Sequence, residues 1–365
     1  MINIVLLGLV GVTGLPAVLA AAPYMIEDQL TSNQPTSEQL MMEDMDSHLL
    51  MLSGQVYTEP PCNGQEIISC ELAQVNWELI ENNSNIVLPN GNQLNFTYLE
   101  ESRKLDMSNG NPVTLVYKGE FGNEAVLTYK KHSLYGRVIL NDDRTFIIET
   151  VAEGVVWAEI DQSVWTSEHH PMEANLTYDA ISLDRMEILQ AQGRADTTTV
   201  VEFTVTVYYT QIFKQSTADP ATFIDQVIAE TNEGYKNSLV PIRVRLLCIQ
   251  ESSIPDGQDS TNTLNQFTRS QNTLNDVRQS ADATILLVNA FNNAGSCGVN
   301  WFNTISSGQT IGTVAKGCAL GHFSFGHEIG HGFGLAHDRR VAATSSNNYA
   351  YGYVIAVSIT AIQPF

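Results

Sequence analysis

The residues best suited to chemistry lie in one short segment, His327 to Asp338, which contains three histidines and a glutamate. His327 and His331 are four residues apart, so on a helix both imidazoles project from the same face and can reach one ion. Gly334 permits the chain to end that helix in a left-handed conformation and to turn back. The turn would bring His337 to the same point as a third nitrogen ligand.

Three histidines leave the fourth position of a tetrahedral zinc ion for water, which is typical of a catalytic rather than a structural zinc site. Glu328 is placed to take a proton from that water, whose pKa zinc lowers to about 7. The same carboxyl group can pass the proton to the leaving amine of a peptide. We therefore predict zinc ligands at His327, His331 and His337 and a general base at Glu328. The competing interpretation is a His-Glu-x-x-His that arises by accident on an exposed helix, and the added glycine and third histidine argue against it.

The elements upstream of this segment must position it, and they alternate between strand and helix. Apolar residues alternate with polar ones from Val201 to Val207, which predicts a half-buried strand. Asp219 and Pro220 are typical of a helix start. Strands are predicted at Ile242–Leu247 and at Thr284–Val288, the latter a continuous apolar run of the kind found in central strands. This order of elements favours an α/β layer.

The N-terminal half has a different pattern. Between residues 87 and 159 short apolar runs are separated by turn-forming residues. Val113–Tyr117 and Thr145–Ile148 predict strands of an antiparallel meander. Residues 38–52 have a helix-like pattern, and the polar, mixed stretch 162–197 is typical of a connection between two domains.

Length and charge support two folded units. A chain of 365 residues with 43% hydrophobic residues is too long for one ordinary core. The net charge is −22, and residues 1–194 contain 27 acidic and 9 basic side chains against 13 and 9 in the rest of the chain. A surface this acidic repels phosphate backbones, so we expect no nucleic-acid partner. The step in charge near residue 195 favours a boundary there.

The first 22 residues contain no charged side chain, and Ile4 to Ala20 is almost wholly apolar. Small residues follow at Ala20, Ala21 and Ala22, which is typical of a secretory signal peptide and its cleavage site. The alternative is an uncleaved membrane anchor, because the run is close to the lower limit for spanning a bilayer. With the signal removed, we predict a secreted protein that has no stable association with membranes.

Secretion makes the five cysteines candidates for disulfide bonds. Cys62 and Cys70 are close enough to close a small loop. Cys297 and Cys318 flank the segment that leads into the histidines. Cys248 is then left over.

At residues 327–338 the sequence resembles the metzincin clan of zinc endopeptidases. Asp338, directly after the third histidine, makes it similar to the reprolysin branch, which includes adamalysin-like and bacterial peptidyl-Asp metalloendopeptidases. The resemblance extends from about Val200 to Tyr353 and includes Cys297-Gly298. It implies protein or peptide substrates and a twisted mixed sheet over the active-site helix. It also implies an edge strand that pairs with substrate, for which Gln309–Val314 is the candidate.

The predicted fold class is therefore α+β, with an N-terminal mostly-β pro-domain followed by a metzincin-like α/β catalytic domain. The expected boundaries are 1–22 for the signal peptide, 23–195 for the pro-domain and 196–365 for the peptidase domain. In the family the upstream region keeps the enzyme latent, which implies a zymogen. One alternative use of Cys62 or Cys70 is a latency thiolate bound to zinc, as in some metzincin pro-domains.

One departure from the clan concerns the residues after the third histidine. Metzincins have a methionine-containing turn beneath the metal, whereas all nine methionines of this chain precede residue 187. We therefore expect the peptidase domain to be C-terminally incomplete. The leading function is a secreted zinc endopeptidase made as a zymogen, and the alternative is a catalytically impaired secreted binding protein that keeps the metzincin shell. A third interpretation makes the N-terminal β-rich region an adhesive or inhibitory module. The sequence indicates neither an oligomeric state nor a substrate preference.

Overall fold

The structure, a computed structural model, describes residues 48–64, 66–100, 110–142, 144–161, 200–238, 240–273, 281–293, 295–304 and 310–337. These residues form a mixed α/β protein in which sheets dominate, with one nine-stranded and one five-stranded sheet. The signal segment, the connection predicted at residues 162–197 and the residues after His337 lie outside the described part. The predicted domain boundaries therefore stay predictions.

The nine-stranded sheet, here called the N-terminal sheet, is built from antiparallel neighbours in the order β1-β2-β9-β8-β7-β6-β5-β4-β3. Its strands are β1 Leu50–Val56, β2 Ile67–Val75, β3 Ile86–Val87, β4 Gln93–Glu100, β5 Val113–Lys118, β6 Glu124–Lys130, β7 Ser133–Ile139, β8 Thr145–Val151 and β9 Gly154–Ile160. A short helix, α1 (Trp77–Glu81), joins β2 to β3. A bridge between His48 and Val87 brings the two edges of the sheet together.

Both faces of the central strands in the N-terminal sheet are buried. In β7, Leu134 and Val138 belong to a cluster that also contains Trp157. Tyr135, which points the other way because side chains alternate along a strand, belongs to a second cluster shared with the C-terminal elements. Because side chains alternate along a strand, one set enters the sheet's own core and the other set faces the C-terminal elements.

The five-stranded sheet has the order β11-β10-β12-β14-β13. Its strands are β10 Val201–Thr210, β11 Ile242–Ser252, β12 Ala283–Val288, β13 Gly298–Asn300 and β14 Thr310–Ala315. All neighbours are parallel except β13, which runs antiparallel to β14 at the edge. Every residue of β12 and β14 is buried, as expected of strands covered on both faces.

In the part of the chain that the structure describes, five helices accompany this sheet: α2 Gln211–Gln215, α3 Pro220–Asn237, α4 Ser260–Thr273, α5 Lys316–Ala319 and α6 Ser324–Gly332. Helix α3 begins as predicted, because the side chain of Asp219 accepts bonds from the backbone N–H groups of Ala221 and Thr222, both at 3.1 Å. It lies between the two sheets, in contact with β11 on one side and with β6 and β7 on the other.

The strands predicted at 113–117, 145–148, 201–207, 242–247 and 284–288 are all confirmed. Two predictions were wrong. Gln309–Val314 is not an edge strand, because β14 is hydrogen-bonded on both sides, and the edges among the described residues are β11 and β13. The end of the helix-like stretch 38–52 is a strand, since Leu50 begins β1 and pairs with Val75. Pairing with a distant strand overrides a local helical pattern.

The expected disulfides are both present, between Cys62 and Cys70 and between Cys297 and Cys318, and Cys248 is a free thiol. Because Cys62 and Cys70 are bonded to each other, neither is a thiolate available to a metal in this structure. None of the helices among the described residues is long and apolar enough to span a membrane.

Candidate metal centre

Helix α6 holds the first two histidines on one face. Eight of its nine residues are buried, and Phe325 and Ile329 pack into the cluster shared by both sheets. His327 and His331, four residues apart, have ring centroids 4.4 Å from each other. The predicted spacing therefore places two imidazoles side by side on a helix that is fixed by its apolar face.

The end of α6 turns the chain back toward these imidazoles. Gly334 has a φ of 85°. Its N–H donates to the carbonyl of His331 at 2.9 Å, and the N–H of Leu335 donates to the carbonyl of Gly330 at 3.0 Å. This pair of bonds defines a Schellman motif, in which the residue after the cap adopts the left-handed conformation that glycine tolerates. The prediction that Gly334 ends the helix in this way is confirmed.

The turn brings His337 to the other two rings. Its Nε2 atom lies 3.0 Å from Nε2 of His327 and 3.1 Å from Nε2 of His331. Tetrahedral zinc with Zn–N bonds of about 2.0–2.1 Å needs ligand nitrogens about 3.3 Å apart. The three donors therefore fit a single zinc ion, and they form a candidate metal-binding group among the described residues.

Hydrogen bonding and burial keep these rings in a state that suits a metal. Nδ1 of His331 lies 2.7 Å from the carbonyl oxygen of Leu335. As the carbonyl can only accept, Nδ1 carries the proton, and the lone pair is left on Nε2 where the three rings meet. Burial, with a smaller contribution from His337, lowers the pKa of His327 to about 3. Burial also lowers the pKa of His331, so both rings are neutral at ordinary pH.

Glu328 is 4% exposed, and its side chain lies against the edge strand. A Cβ atom added to Gly298 would sit 2.7 Å from both Cγ and Oε1 of Glu328, so the absence of a side chain at Gly298 makes room for this carboxyl group. The backbone carbonyl of Glu328 accepts a bond of 2.7 Å from Nδ2 of Asn300, a buried residue at the other end of the same strand.

Further contacts fix the edge strand and the loop after it to the helix. The N–H of Asn303 donates to the carbonyl of His331 at 2.9 Å. The bond between Cys297 and Cys318 ties the start of β13 to α5. The carboxyl group of Glu328 and the histidines are thus held against a strand whose outer edge is free of sheet partners among the described residues.

All four predicted site residues lie in this region, and the structure brings the three histidines together. Their roles as ligands, and that of Glu328 as base, stay predictions. His322, five residues before His327, is not part of the histidine group, and burial lowers its pKa to about 4. Sequence reasoning did not assign roles to Gly298 and Asn300. In the sequence, only their position close to Cys297 marked these two residues, and Cys297-Gly298 was named there only as part of the resemblance to metzincins.

Comparison with protein families gives an independent result. Residues 221–338 match the Reprolysin-like metallo-peptidase family M12B. The matched segment begins in α3 and ends directly after His337.

Curated proteins and solved structures show similar relatives. A peptidyl-Asp metalloendopeptidase of Stenotrophomonas maltophilia strain K279a is 26% identical over 239 residues, which cover 64% of this chain and 55% of that protein. One from Xanthomonas campestris is 26% identical over 240 residues, covering 63% and 55%. The chain thus spans just over half the length of the curated relatives it matches. Metalloproteinase-II from Bacteroides fragilis aligns in structure over 72% of this chain and 84% of that one, with 11% identity and a TM-score of 0.42.

Proposed function

We propose that this protein is a zinc-dependent endopeptidase, because residues 221–338 match the Reprolysin-like metallo-peptidase family M12B. The observation that supports this most directly is that Nε2 of His337 lies 3.0 Å from Nε2 of His327 and 3.1 Å from Nε2 of His331, two residues of the helix that also holds Glu328. His327, His331 and His337 would hold the zinc ion, and protein or peptide chains are the substrates.

Each residue of the site has a definite task in this proposal. When bound, zinc supplies Lewis acidity, which makes water acidic enough to lose a proton near neutral pH. Glu328 accepts the proton from the attacking water and passes it to the leaving amine. The two neutral histidines described above offer lone pairs without first having to lose a proton. The hydrogen bond from His331 to Leu335 keeps the ring in the required tautomer and orientation.

The substrate backbone would pair with β13. Of the two edges that the five-stranded sheet has among the described residues, β13 is the one that lies directly beside α6. An extended peptide added to a sheet edge gains main-chain hydrogen bonds without regard to its side chains. Pairing here would place a peptide bond beside Glu328, which packs on Gly298 of the same strand.

The proposal also includes secretion and latency. The N-terminal signal pattern and the two disulfide bonds suit an oxidising compartment outside the cytosol.

Residues 23 to about 195 would act as a pro-domain that keeps the enzyme inactive until the chain is cut near Arg194. Trimming there should raise hydrolysis; equal activity of full-length and trimmed protein would show that this region is not inhibitory.

A paired measurement tests the central proposal. Purified protein should bind one zinc ion per chain and hydrolyse casein, and Glu328→Gln should keep the zinc while abolishing hydrolysis. A protein without zinc would overturn the proposal. One zinc per chain with no hydrolysis, before or after trimming near Arg194, would instead favour the catalytically impaired binding protein.

A further inference from the structure

We propose that the N-terminal sheet is a permanent structural support of residues 200–337. After the chain is cut between residues 162 and 199, the sheet should stay bound through α3 and should hold the entry of helix α6 through Arg137. Cutting the chain, and not release of the sheet, would then end the latency proposed above. The proposal rests on the proposed function only in treating residues 200–337 as the catalytic part.

The apolar part of the contact is a shared core. The ring of Tyr135 on β7 meets the ring of Phe223 on α3 edge to face, with centroids 5.5 Å apart. Ile147 and Ile160 pack against the backbone at Gly321. A Cβ atom added to Gly321 would lie 2.7 Å from the side chain of Ile147 and 3.0 Å from that of Ile160. These sheet residues lie in the same buried cluster as the core of the five-stranded sheet. Such a contact resembles the interior of one domain, and its separation would expose apolar surface on both sides.

Hydrogen bonds and ion pairs fix how the N-terminal sheet is positioned on α3 and α5. The side chain of Gln226 donates to the carbonyl of Val126 at 2.9 Å, and that of Asn237 donates to Glu124 at 3.0 Å. Two ion pairs cross the contact, Lys118 with Glu233 at 3.1 Å and Lys316 with Glu149 at 2.7 Å. These bonds run from β5, β6 and β8 to α3 and α5, so they specify one docked arrangement.

Arg137 links the sheet to the active-site helix. This residue of β7 is 1% exposed, and its Nη2 atom lies 2.8 Å from Oε1 of Glu124. Its guanidinium carbon lies 3.9 Å from the ring centroid of Phe323. Phe323 directly precedes α6, and its carbonyl accepts the N–H of His327 at 3.0 Å. Arg137 of the sheet therefore contacts the residue that is hydrogen-bonded to the first histidine.

Phe323 needs this support because of its backbone. Its φ of 58° and ψ of 15° are left-handed, a conformation that a residue with a side chain adopts only where its surroundings hold it. Arg137 covers one side of the ring. On another side the ring lies at Gly234 of α3, 3.0 Å from where a Cβ would stand. The entry of α6 is thus fixed between α3 and the N-terminal sheet.

The first experiment asks whether the sheet stays bound. A recognition sequence for a site-specific protease is inserted after Ala180 in the full chain, and the protein is cut under native conditions. We expect both fragments to leave a size-exclusion column in one peak and to separate only in denaturant. Separate peaks under native conditions would overturn the proposal. This result needs neither zinc nor activity, so it stands apart from the success of the proposed function.

The second experiment tests Arg137. In the cut protein, Arg137→Met should weaken fragment association and zinc affinity by about tenfold each, since the buried contact with Phe323 and the ion pair with Glu124 are both lost. Arg245→Met is the control, because Arg245 pairs with Glu202 at the exposed surface of β11. Equal zinc affinity in the Arg137→Met and Arg245→Met proteins would remove Arg137 from its proposed role.

A double substitution separates this role from simple misfolding. Phe323→Gly relieves the left-handed strain, so the helix entry no longer depends on the cation. The loss of zinc affinity caused by Arg137→Met should therefore shrink in the Phe323→Gly background. Losses of the same size in both backgrounds would show that Arg137 acts by general stability alone.

Discussion

The side-chain amide of Asn300 donates to the backbone carbonyl of Glu328 at 2.7 Å, which joins β13 to helix α6 at the residue proposed as the base. The same amide group lies near Thr310 of the neighbouring strand, whose hydroxyl donates to Oδ1 at 3.4 Å. Asn300 is fully buried. This amide therefore helps to set the distance between the strand that would bind substrate and the carboxyl group that would accept a proton.

Asn300→Asp keeps the shape but replaces the donor with an oxygen that repels the Glu328 carbonyl. We expect kcat to fall about 10- to 100-fold with a smaller change in KM and in zinc affinity, because positioning of the base is lost while the ligands are untouched. Steady-state kinetics and zinc titration measure these quantities.

Asn232 supplies a matched control. It is also a buried asparagine, and it joins α3 to β11 by donating to the Val244 carbonyl at 3.0 Å, away from the histidines. Asn232→Asp should cost similar stability, about 1–3 kcal/mol, and leave kcat unchanged. Equal falls in kcat for the two variants would mean that Asn300 has a structural role only.

Gly298→Ala should displace the carboxyl group of Glu328, since the added methyl group would lie 2.7 Å from its Cγ and Oε1 atoms. We expect kcat to fall by about tenfold or more with zinc affinity kept. Gly317→Ala is the control, because a Cβ there meets its nearest atom at 3.9 Å. Unchanged turnover in Gly298→Ala would place the working position of Glu328 elsewhere.

His331→Ala should reduce zinc affinity by about a thousandfold or more, because only two of the three nitrogen ligands remain. His322→Ala removes a neighbouring histidine that lies outside the histidine group and should leave affinity within about threefold of the original. Titration with a competing chelator compares them. Wild-type affinity in His331→Ala would exclude the assigned ligand set.

The metal-free protein should lose stability in mild acid. Unfolded histidines take up protons near pH 6.5, whereas burial lowers the pKa of His327 to about 3 and that of His322 to about 4 in the folded protein, and lowers that of His331 as well. The unfolded state then binds more protons below pH 6.5, so the free energy of unfolding falls as pH falls.

The expected slope is up to about 1.4 kcal/mol per pH unit for each of these histidines. Denaturant titrations between about pH 7 and 5 isolate the effect, because most carboxyl groups titrate lower. His331→Gln should reduce the slope. A free energy of unfolding that stays constant through this range would contradict the buried, neutral state of the rings.

The sequence predicted the helix and turn of the histidine segment because the relevant interactions are local. Four-residue spacing and the left-handed Gly334 act within one turn of chain, so His327, His331 and His337 could be placed without knowledge of the fold. The strands from Val201 to Val288 were likewise found from their apolar patterns.

Other features depend on contacts between distant residues. The order of β13 and β14 is set by pairing across the sheet, so the sequence alone did not show that the strand at 310–315 lies inside the sheet and that β13 lies at its edge. Asn300 and Gly298 acquire their roles only because β13 packs on α6. The contact of Arg137 with Phe323 joins residues 186 positions apart, and no local pattern marks either residue.

The bond between Cys297 and Cys318 has a consequence for any cut made in the chain between these two residues. It closes a covalent ring of chain, 21 residues along the sequence, that contains the edge strand and β14. A peptide bond cut anywhere inside that ring leaves both new ends attached to the same molecule. Self-digestion within this ring would therefore give smaller bands on a gel only after the disulfide is reduced. Before reduction, the cut protein would stay in one piece.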